Sequence, residues 1–450
     1  MSELRTIARH AGTVLVGQLA VMAFGVTDTI VAGRYSEQAL AALSVGSAIY
    51  ISVYVALMGV VQALLPAWAE LHGSGRQAAL GRSVRQALYL CVITIAVGMA
   101  ALLFPGPLLR WTRVPEALQA EVRQYLAVLA LALAPSLLFR LYSTLNQALG
   151  KPQLVTWLQI ASLGLKLPLS VWLAFGGWGL APRGAVGCAL ATLLVNCAML
   201  GLALWLLRSQ DFYRPYRLWQ RLERPDWAQI RAFARLGLPG GLAIMVEVTS
   251  FTLMALFIAR LGTVASASHQ IAANLGALLY MTPLSLAIAS SARVSYWLGA
   301  GQPRRARRAA GTGLRAAGAL ALLAAGTLWL LREGIAALYT NQPAVAAAAS
   351  ALLAWVALYH LADALQAVCV FILRCYNVTV APLLVYSLLL WGLGLAGGYA
   401  LAYQGLGPWA AAQASPRAFW LASTVALALV ALIFSAMVWR ELSLPRRKRP

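Results

Sequence analysis

Residues 238–259 read LPGGLAIMVEVTSFTLMALFIA, an apolar run of twenty-two residues with a single acid, Glu247, near its centre. At about 1.5 Å per residue such a run crosses the roughly 30 Å hydrocarbon core of a bilayer. Glu247 then lies near mid-membrane, where a carboxylate costs at least about 2.5 kcal/mol to insert. It needs a partner, a proton, a bound cation or a water-filled cavity, and the rest of the chain has to supply one.

The rest of the chain is written for the same solvent. Of its 450 residues 61% are hydrophobic and only 11% charged, against about 25% charged in soluble domains. Apolar runs of bilayer length centre near residues 22, 55, 95, 135, 165, 195, 248, 282, 320, 358, 390 and 428. They continue without alternation for longer than the roughly ten-residue strands of a membrane barrel. The sequence therefore predicts an all-α integral membrane protein with about twelve transmembrane helices. The opening MSELRTIARH leads into a long span without a small-residue cleavage site, so no cleaved signal peptide is expected. Cys91, Cys188, Cys197, Cys369 and Cys375 fall in apolar stretches without metal-type or disulfide spacing, and are expected to pack.

A formal net charge of +22 raises the question of nucleic acid, but the basic residues collect in alternate loops, as the positive-inside rule requires. One set holds Arg5 and Arg9; Arg76, Arg82 and Arg85; Lys151; Arg214, Arg217, Arg221 and Arg224; Arg304, Arg305, Arg307 and Arg308; and the tail Arg446, Arg447, Lys448 and Arg449. The other set is sparse, with Arg34, Arg183, Arg260, Arg332 and Arg417, and is richer only at Arg110, Arg113 and Arg123. Both termini are therefore expected to be cytoplasmic, and the basic charge to meet anionic lipid rather than nucleic acid.

The longest connection lies almost at mid-chain and divides the sequence into an N-terminal lobe, residues 1–207, a cytoplasmic linker, 208–235, and a C-terminal lobe, 236–450, ending in a basic tail. Asp226 in the linker is a candidate N-cap for a short amphipathic helix leading into the central span. Shifting the second half by about 226 residues brings Gly73-Ser-Gly-Arg76 onto Gly299-Ala-Gly-Gln302 and Arg34 onto Arg260, and leaves Pro115 near the counterpart of Pro343. Six spans per half keep the same orientation in both halves, so the repeat is parallel. Two pseudo-symmetric six-helix bundles facing one another across a central cleft, a V-shaped transporter, are the expected architecture.

Few charges fall inside the spans. Asp28, in GVTDTIVAG, lies within a turn or two of a helix end, where it either snorkels to water or faces the protein. In YHLADALQAV, Tyr359, Asp363 and Gln366 share one helical face at spacing i, i+4 and i+7. Phenol, carboxylate and amide on one stripe could coordinate a hard cation, hold a titrating carboxyl or form a hydrogen-bonded seam between helices. His360, one residue off that face, is read as structural. Two acids sharing a dry site cannot both stay ionised, so a Glu247–Asp363 pair would exchange a proton near neutral pH or hold a monovalent cation; sodium and proton both remain open. Lys166, in GLKLPLS just before Pro168, is as costly as an acid, and either pairs with Asp28 or snorkels to the interface. Pro168 frees a backbone carbonyl at a frequent site of bending. No GxxxxGK[ST], HExxH or GxSxG pattern occurs, so transport has to draw on an ion gradient, with no cofactor.

Four stretches carry a family resemblance that spans nearly the whole chain: QLAVMAFGVTDTIVAG, PDWAQIRAFARLGLPGGLAIMVEVTSF, HQIAANLGALLYMTPLSLAIASSARV and ADALQAVCVFILRCYNVT. Together they resemble the multidrug and toxic compound extrusion family, most closely its NorM-like branch. The resemblance implies a secondary active exporter of the cytoplasmic (inner) membrane, acting as a monomer by alternating access. It would exchange sodium or protons for amphipathic, mostly cationic drugs. Carried over by position, Glu247, Asp363 and Tyr359 match the family's cation site, where a sodium ion could sit, and Asp28 matches its first-lobe acid. Gln270, Tyr280, Gln366 and Lys166 fall at candidate positions lining the substrate cavity. Lys166 and Ser170 stand where many relatives carry asparagines, and an ammonium beside Asp28 would take the place of a mobile cation there. Glu247 aligns near Val21 rather than Asp28, so the two lobes are not chemically equivalent. Two rivals remain: a lipid-linked oligosaccharide flippase, against which the mainly acidic mid-span charge speaks, and an integral membrane enzyme, for which no polar catalytic cluster is found.

Overall fold

The computed structural model describes residues 2–106, 116–177, 179–405 and 411–443. Arg110, Arg113 and Pro115, and the basic tail Arg446, Arg447, Lys448 and Arg449, lie outside the described residues. The described chain is helical, with a single isolated bridge between Gly177 and Leu180, and has 12 helices long and apolar enough to cross a membrane. It is a multi-pass membrane protein.

The chain divides into two compact units, Gly12–Gly241 and Met1–Ala11 with Leu242–Pro450. The first contains most of α1 (Glu3–Tyr35), α2 (Glu37–Gln62), α3 (Leu65–Gly73), α4 (Gln77–Leu103), α5 (Glu116–Ala148), α6 (Pro152–Phe175), α7 (Gly184–Ser209) and the first turns of α8 (Trp227–Ala259). Helix α5 is its core: 72% of its apolar window is buried, against 28% for α6 and α7, whose outer faces are left for lipid. Asn196 of α7 donates to Ser136 Oγ of α5 at 2.7 Å, a polar tie between two otherwise apolar faces. Helices α6 and α7 approach closely because Gly187 lies against the backbone of Leu173 and Ala174, where any Cβ would collide. Pro168 is accommodated inside an uninterrupted α6.

The mid-chain connection is fastened to the first unit. After a short 3₁₀ turn, Asp211–Tyr216, it is held by Arg85 of α4, which is almost wholly buried. Arg85 donates to Arg217 O at 2.6 Å and pairs with Glu223 at 2.6 Å. Gln86 donates to Arg224 O and accepts from the Asp226 N–H, and Tyr89 donates to Glu223 O. Gly81 lets the chain lie on α4, since Tyr216 O occupies the space of its missing Cβ. Asp226 caps α8 as expected, accepting from Gln229 N at 3.1 Å. The separate short amphipathic helix does not form; the segment is the first part of α8, which runs unbroken to Ala259 with Pro239 inside it.

In the second unit α11 (Pro343–Cys375) is the core, with 78% of its apolar window buried. It packs against α9 (Thr263–Gly299), α10 (Pro303–Tyr339) and α13 (Pro416–Ser443). The remaining span, α12 (Val380–Gln404), is α-helical at Val380–Tyr386 and π-helical over Ser387–Ala396 and Ala400–Gln404. Three side chains fasten its widened turns: Ser250 donates to Leu390 O, Trp391 to Val246 O and Tyr403 to Phe257 O. The start of α1 also belongs here, because Glu3 meets Arg293 of α9 at 2.7 Å and accepts from the Trp297 indole. Four of the five cysteines are buried as expected; Cys197 is exposed on α7.

Candidate functional site

The sequence-marked acids fall into two separate clusters, one in each unit. In the second unit α11 presents Tyr359, Asp363 and Gln366 on one face, all buried. Gln366 donates to Asp363 Oδ1 at 2.9 Å and accepts a hydrogen bond from Tyr386 of α12. This chain fixes one carboxylate oxygen of Asp363 and leaves the other available to a ligand. The Tyr359 ring is held edge-on by Phe251 and Trp420, with centroids 5.7 and 5.8 Å away. Glu247 on α8 is half-buried, and its charge acts on Asp363, Tyr280, Tyr359 and Tyr386. Two carboxyls and three phenols therefore converge inside one unit, a hard oxygen-donor environment suited to a proton or an alkali cation. His360 is buried beside the cluster on its own turn.

Two members of this cluster lay outside the sequence reading. Tyr386 comes from a different span and has no spacing relation to Asp363. Arg374 stands eleven residues after Asp363, three turns along the same stripe. It is buried, stacks on Phe371 at 4.5 Å and lies within electrostatic reach of Glu247. That spacing was the available signal. Gln270, expected to line a cavity, is exposed and donates to Asn274 on its own helix at 3.2 Å, so its hydrogen bond does not involve the acids.

In the first unit Asp28 is buried rather than snorkelling, and Lys166 sits against it, Nζ 2.7 Å from Oδ1. Lys166 also donates to Cys188 O at 3.1 Å and to Thr192 Oγ1 at 2.7 Å, so all three ammonium hydrogens have acceptors. Ser170 donates to Asp28 Oδ1 at 3.0 Å. Lys166 was also a candidate cavity residue, but it has no exposed surface here because its head group is enclosed by these acceptors. The first cluster is a closed ion pair; the second holds two acids that, among the described residues, form no salt bridge, with Arg374 within electrostatic reach of Glu247.

The MatE family profile matches residues 14–172 and 239–400, segments that hold Asp28 and Lys166 in one and Glu247 and Asp363 in the other. The chain belongs to the MatE family. It is 39% identical to the probable multidrug resistance protein NorM of Aromatoleum aromaticum, covering 94% of this chain and 91% of that protein. It is 36% identical to the multidrug resistance protein PmpM of Pseudomonas aeruginosa, covering 98% and 92%. Its fold superimposes on the crystal structure of the eukaryotic MATE transporter AtDTX14 with a TM-score of 0.86 at 19% identity, over 98% and 97% of the two chains. For the Vibrio cholerae MATE transporter VcmN in the bent form the TM-score is 0.83 at 18% identity, with coverage of 98% and 97%. Membership of this family makes the chain a transporter rather than an enzyme and requires no cofactor.

Proposed function

We propose that this MatE protein is a multidrug exporter of the bacterial inner membrane, driven by exchange for sodium or protons and expelling amphipathic, mostly cationic compounds. The observation that carries the coupling part is the contrast between the clusters. Asp28 is neutralised by Lys166 at 2.7 Å, whereas among the described residues Glu247 and Asp363 share a phenol-rich site with no basic group at salt-bridge distance, Arg374 acting on Glu247 from farther off. An antiporter needs cation and substrate to favour different states or to compete for one site, and only the second cluster is free to take up a mobile cation.

In this proposal Glu247, Asp363 and Tyr359 bind the coupling ion, Gln366 orients Asp363, and Asp28 has a structural role. Tyr280, on which the charges of Glu247 and Asp363 act, would meet a cationic substrate through its ring face. Residues 1–207 and 236–450 act as two lobes joined by 208–235, and their alternate exposure to the two sides of the membrane moves the substrate. The chain works as a monomer, with both termini cytoplasmic and its basic loops against anionic lipid.

The test is efflux of a fluorescent cation from everted vesicles, under an imposed sodium gradient and separately under a proton gradient. Glu247→Gln and Asp363→Asn should each abolish gradient-driven efflux. If both variants retain it while Asp28→Asn loses it, the coupling assignment is wrong. No response of the parent protein to either gradient would overturn the antiporter reading itself.

A further inference from the structure

The first turns of α8 are held at two places, and between them they leave a groove. At the start, the connection before Trp227 is tied to α4 through Arg85, Gln86 and Tyr89. Further on, α8 closes onto α2 at Gly237 and Gly241, where a Cβ would strike Val60 and the carbonyl oxygen of Ala56. In between, α8 stands off from α4 over a groove of about 360 Å³, floored by Leu57 and Val60 of α2 and walled on one side by Ile93 and Val97 of α4. Every residue of its lining belongs to the first unit.

The opposite wall is one stripe of α8, with Trp227, Arg231, Ala234 and Leu238 at spacing i, i+4, i+7 and i+11. That stripe is about 16 Å long at 1.5 Å per residue. It runs from the point where α8 leaves the connection toward the middle of the apolar run of α4. There Val97 is 59% exposed, a surface that in a membrane span meets acyl chains rather than water. At the other end Trp227 is 67% exposed and Arg231 is exposed as well, and among the described residues neither makes a hydrogen bond or an ion pair. The acids beside them are already engaged: Glu223 with Arg85 at 2.6 Å, and Asp226 with Gln229 N at 3.1 Å and Arg82 at 4.0 Å. Thr94, also on the lining, donates to Cys91 O at 2.8 Å. The mouth of an apolar groove therefore carries positive charge and two donors without partners, one helical turn apart.

We propose that this groove binds one anionic phospholipid, its phosphate held by Arg231 and the Trp227 indole and one acyl chain laid between α4 and α8 on the floor of Leu57 and Val60. The planar fork of a guanidinium matches the paired oxygens of a phosphate, and an indole N–H suits the polar edge of a membrane. The size fits a single chain. A water takes about 30 Å³ of liquid and a methylene is about as large, so 360 Å³ holds about a dozen methylenes. Charge selects the head group. A zwitterionic lipid brings its own cation to a mouth where Arg224 and Arg231 are both exposed, and an anionic lipid does not. The tether and the two glycine contacts make this surface concave, unlike the convex outer face of a helix that any lipid wets. The site is separate from both acid clusters and does not depend on which ion drives transport.

The test titrates purified full-length protein in detergent with phosphatidylglycerol and, separately, with phosphatidylcholine carrying the same oleoyl chains. Bound lipid is counted by native mass spectrometry. The parent protein should hold one phosphatidylglycerol about fivefold more tightly than phosphatidylcholine. Arg231→Gln should lose that preference. Ala234→Phe fills the groove and leaves Arg231 in place, so it should weaken both lipids alike. If Ala234→Phe fails to fold, Ile93→Trp fills the groove from the α4 side and decides the matter. Glycerol 3-phosphate at the same concentration should displace neither lipid. Equal affinity of the parent for the two lipids makes the groove ordinary lipid-facing surface and overturns the proposal. So does a preference that survives Arg231→Gln, or lipid affinities untouched by filling the groove. Displacement by glycerol 3-phosphate marks a site for free phosphate and overturns it too.

Discussion

Lys166 Nζ lies 2.7 Å from Asp28 Oδ1 with the lysine wholly enclosed, so each charge in the first unit is the other's main neutraliser. Removing one partner of such a pair leaves a buried charge, at a cost of about 3–5 kcal/mol. Lys166→Met alone and Asp28→Asn alone should therefore each lower stability strongly. The Lys166→Met/Asp28→Asn double variant should recover most of the loss, giving a coupling energy of about 2 kcal/mol or more. Thermal unfolding of the four proteins in detergent measures it. Additive single effects would mean that the two groups are energetically independent.

The hydrogen-bonded chain Tyr386–Gln366–Asp363 gives a finer prediction for the second unit. Tyr386→Phe keeps the ring but removes the donor to Gln366, freeing that amide to rotate away from Asp363. Stability should fall by only about 1 kcal/mol, the usual net value of one hydrogen bond. Efflux should fall by about tenfold if Asp363 has to be held in place for ion binding, since 1.4 kcal/mol of lost orientation is a factor of ten. Unchanged efflux in Tyr386→Phe would show that Gln366 needs no such support.

A third prediction concerns the mid-chain connection. The Arg85 guanidinium beside Glu223 holds its carboxyl below the ordinary 4.5. A depressed folded-state value stabilises the docked connection at pH above 4.5, and that contribution is lost as the pH falls through the lower folded value. Amide hydrogen exchange over residues 211–226 should therefore be slow and flat from neutral pH down to about 5, after correction for intrinsic rates, and accelerate below 4.5. Arg85→Ala should exchange fast at every pH. Protection in Arg85→Ala equal to that of the parent would show that the other contacts suffice.

Two glycines of α7 should respond oppositely to alanine. At Gly187 a Cβ meets the backbone of Leu173 and Ala174, so α6 and α7 must separate, and Gly187→Ala should cost about 1–3 kcal/mol. At Gly201 nothing lies within 4 Å, and Gly201→Ala should be neutral or stabilise by up to about 1 kcal/mol. Thermal unfolding of the two variants separates the cases, and equal shifts would refute the close-approach account.

The spans were legible because a lipid-facing helix must be apolar for about twenty residues, a signal that survives without tertiary information. Asp28, Lys166, Glu247 and Asp363 were visible for the same reason, since each interrupts such a run. What stayed hidden depends on contacts between distant segments. Tyr386 reads as an ordinary aromatic until α12 is seen against α11. Arg85 reads as a loop charge until Glu223 folds back onto it. Arg374 was passed over because it lies at the end of its helix, where arginine usually reaches water. The π-helical turns of α12 have no sequence mark beyond an unusually uniform apolar run.

The grip of Arg293 on Glu3 sets an order of events during synthesis. The two residues are 290 positions apart, so the first turn of α1 has no docking partner when it leaves the ribosome. At about 5–20 residues per second it waits roughly 15 s to a minute before α9 is made. The first turn of α1 is thus among the last segments to reach its place, and a nascent chain stopped before Arg293 should carry that turn undocked and open to proteolysis.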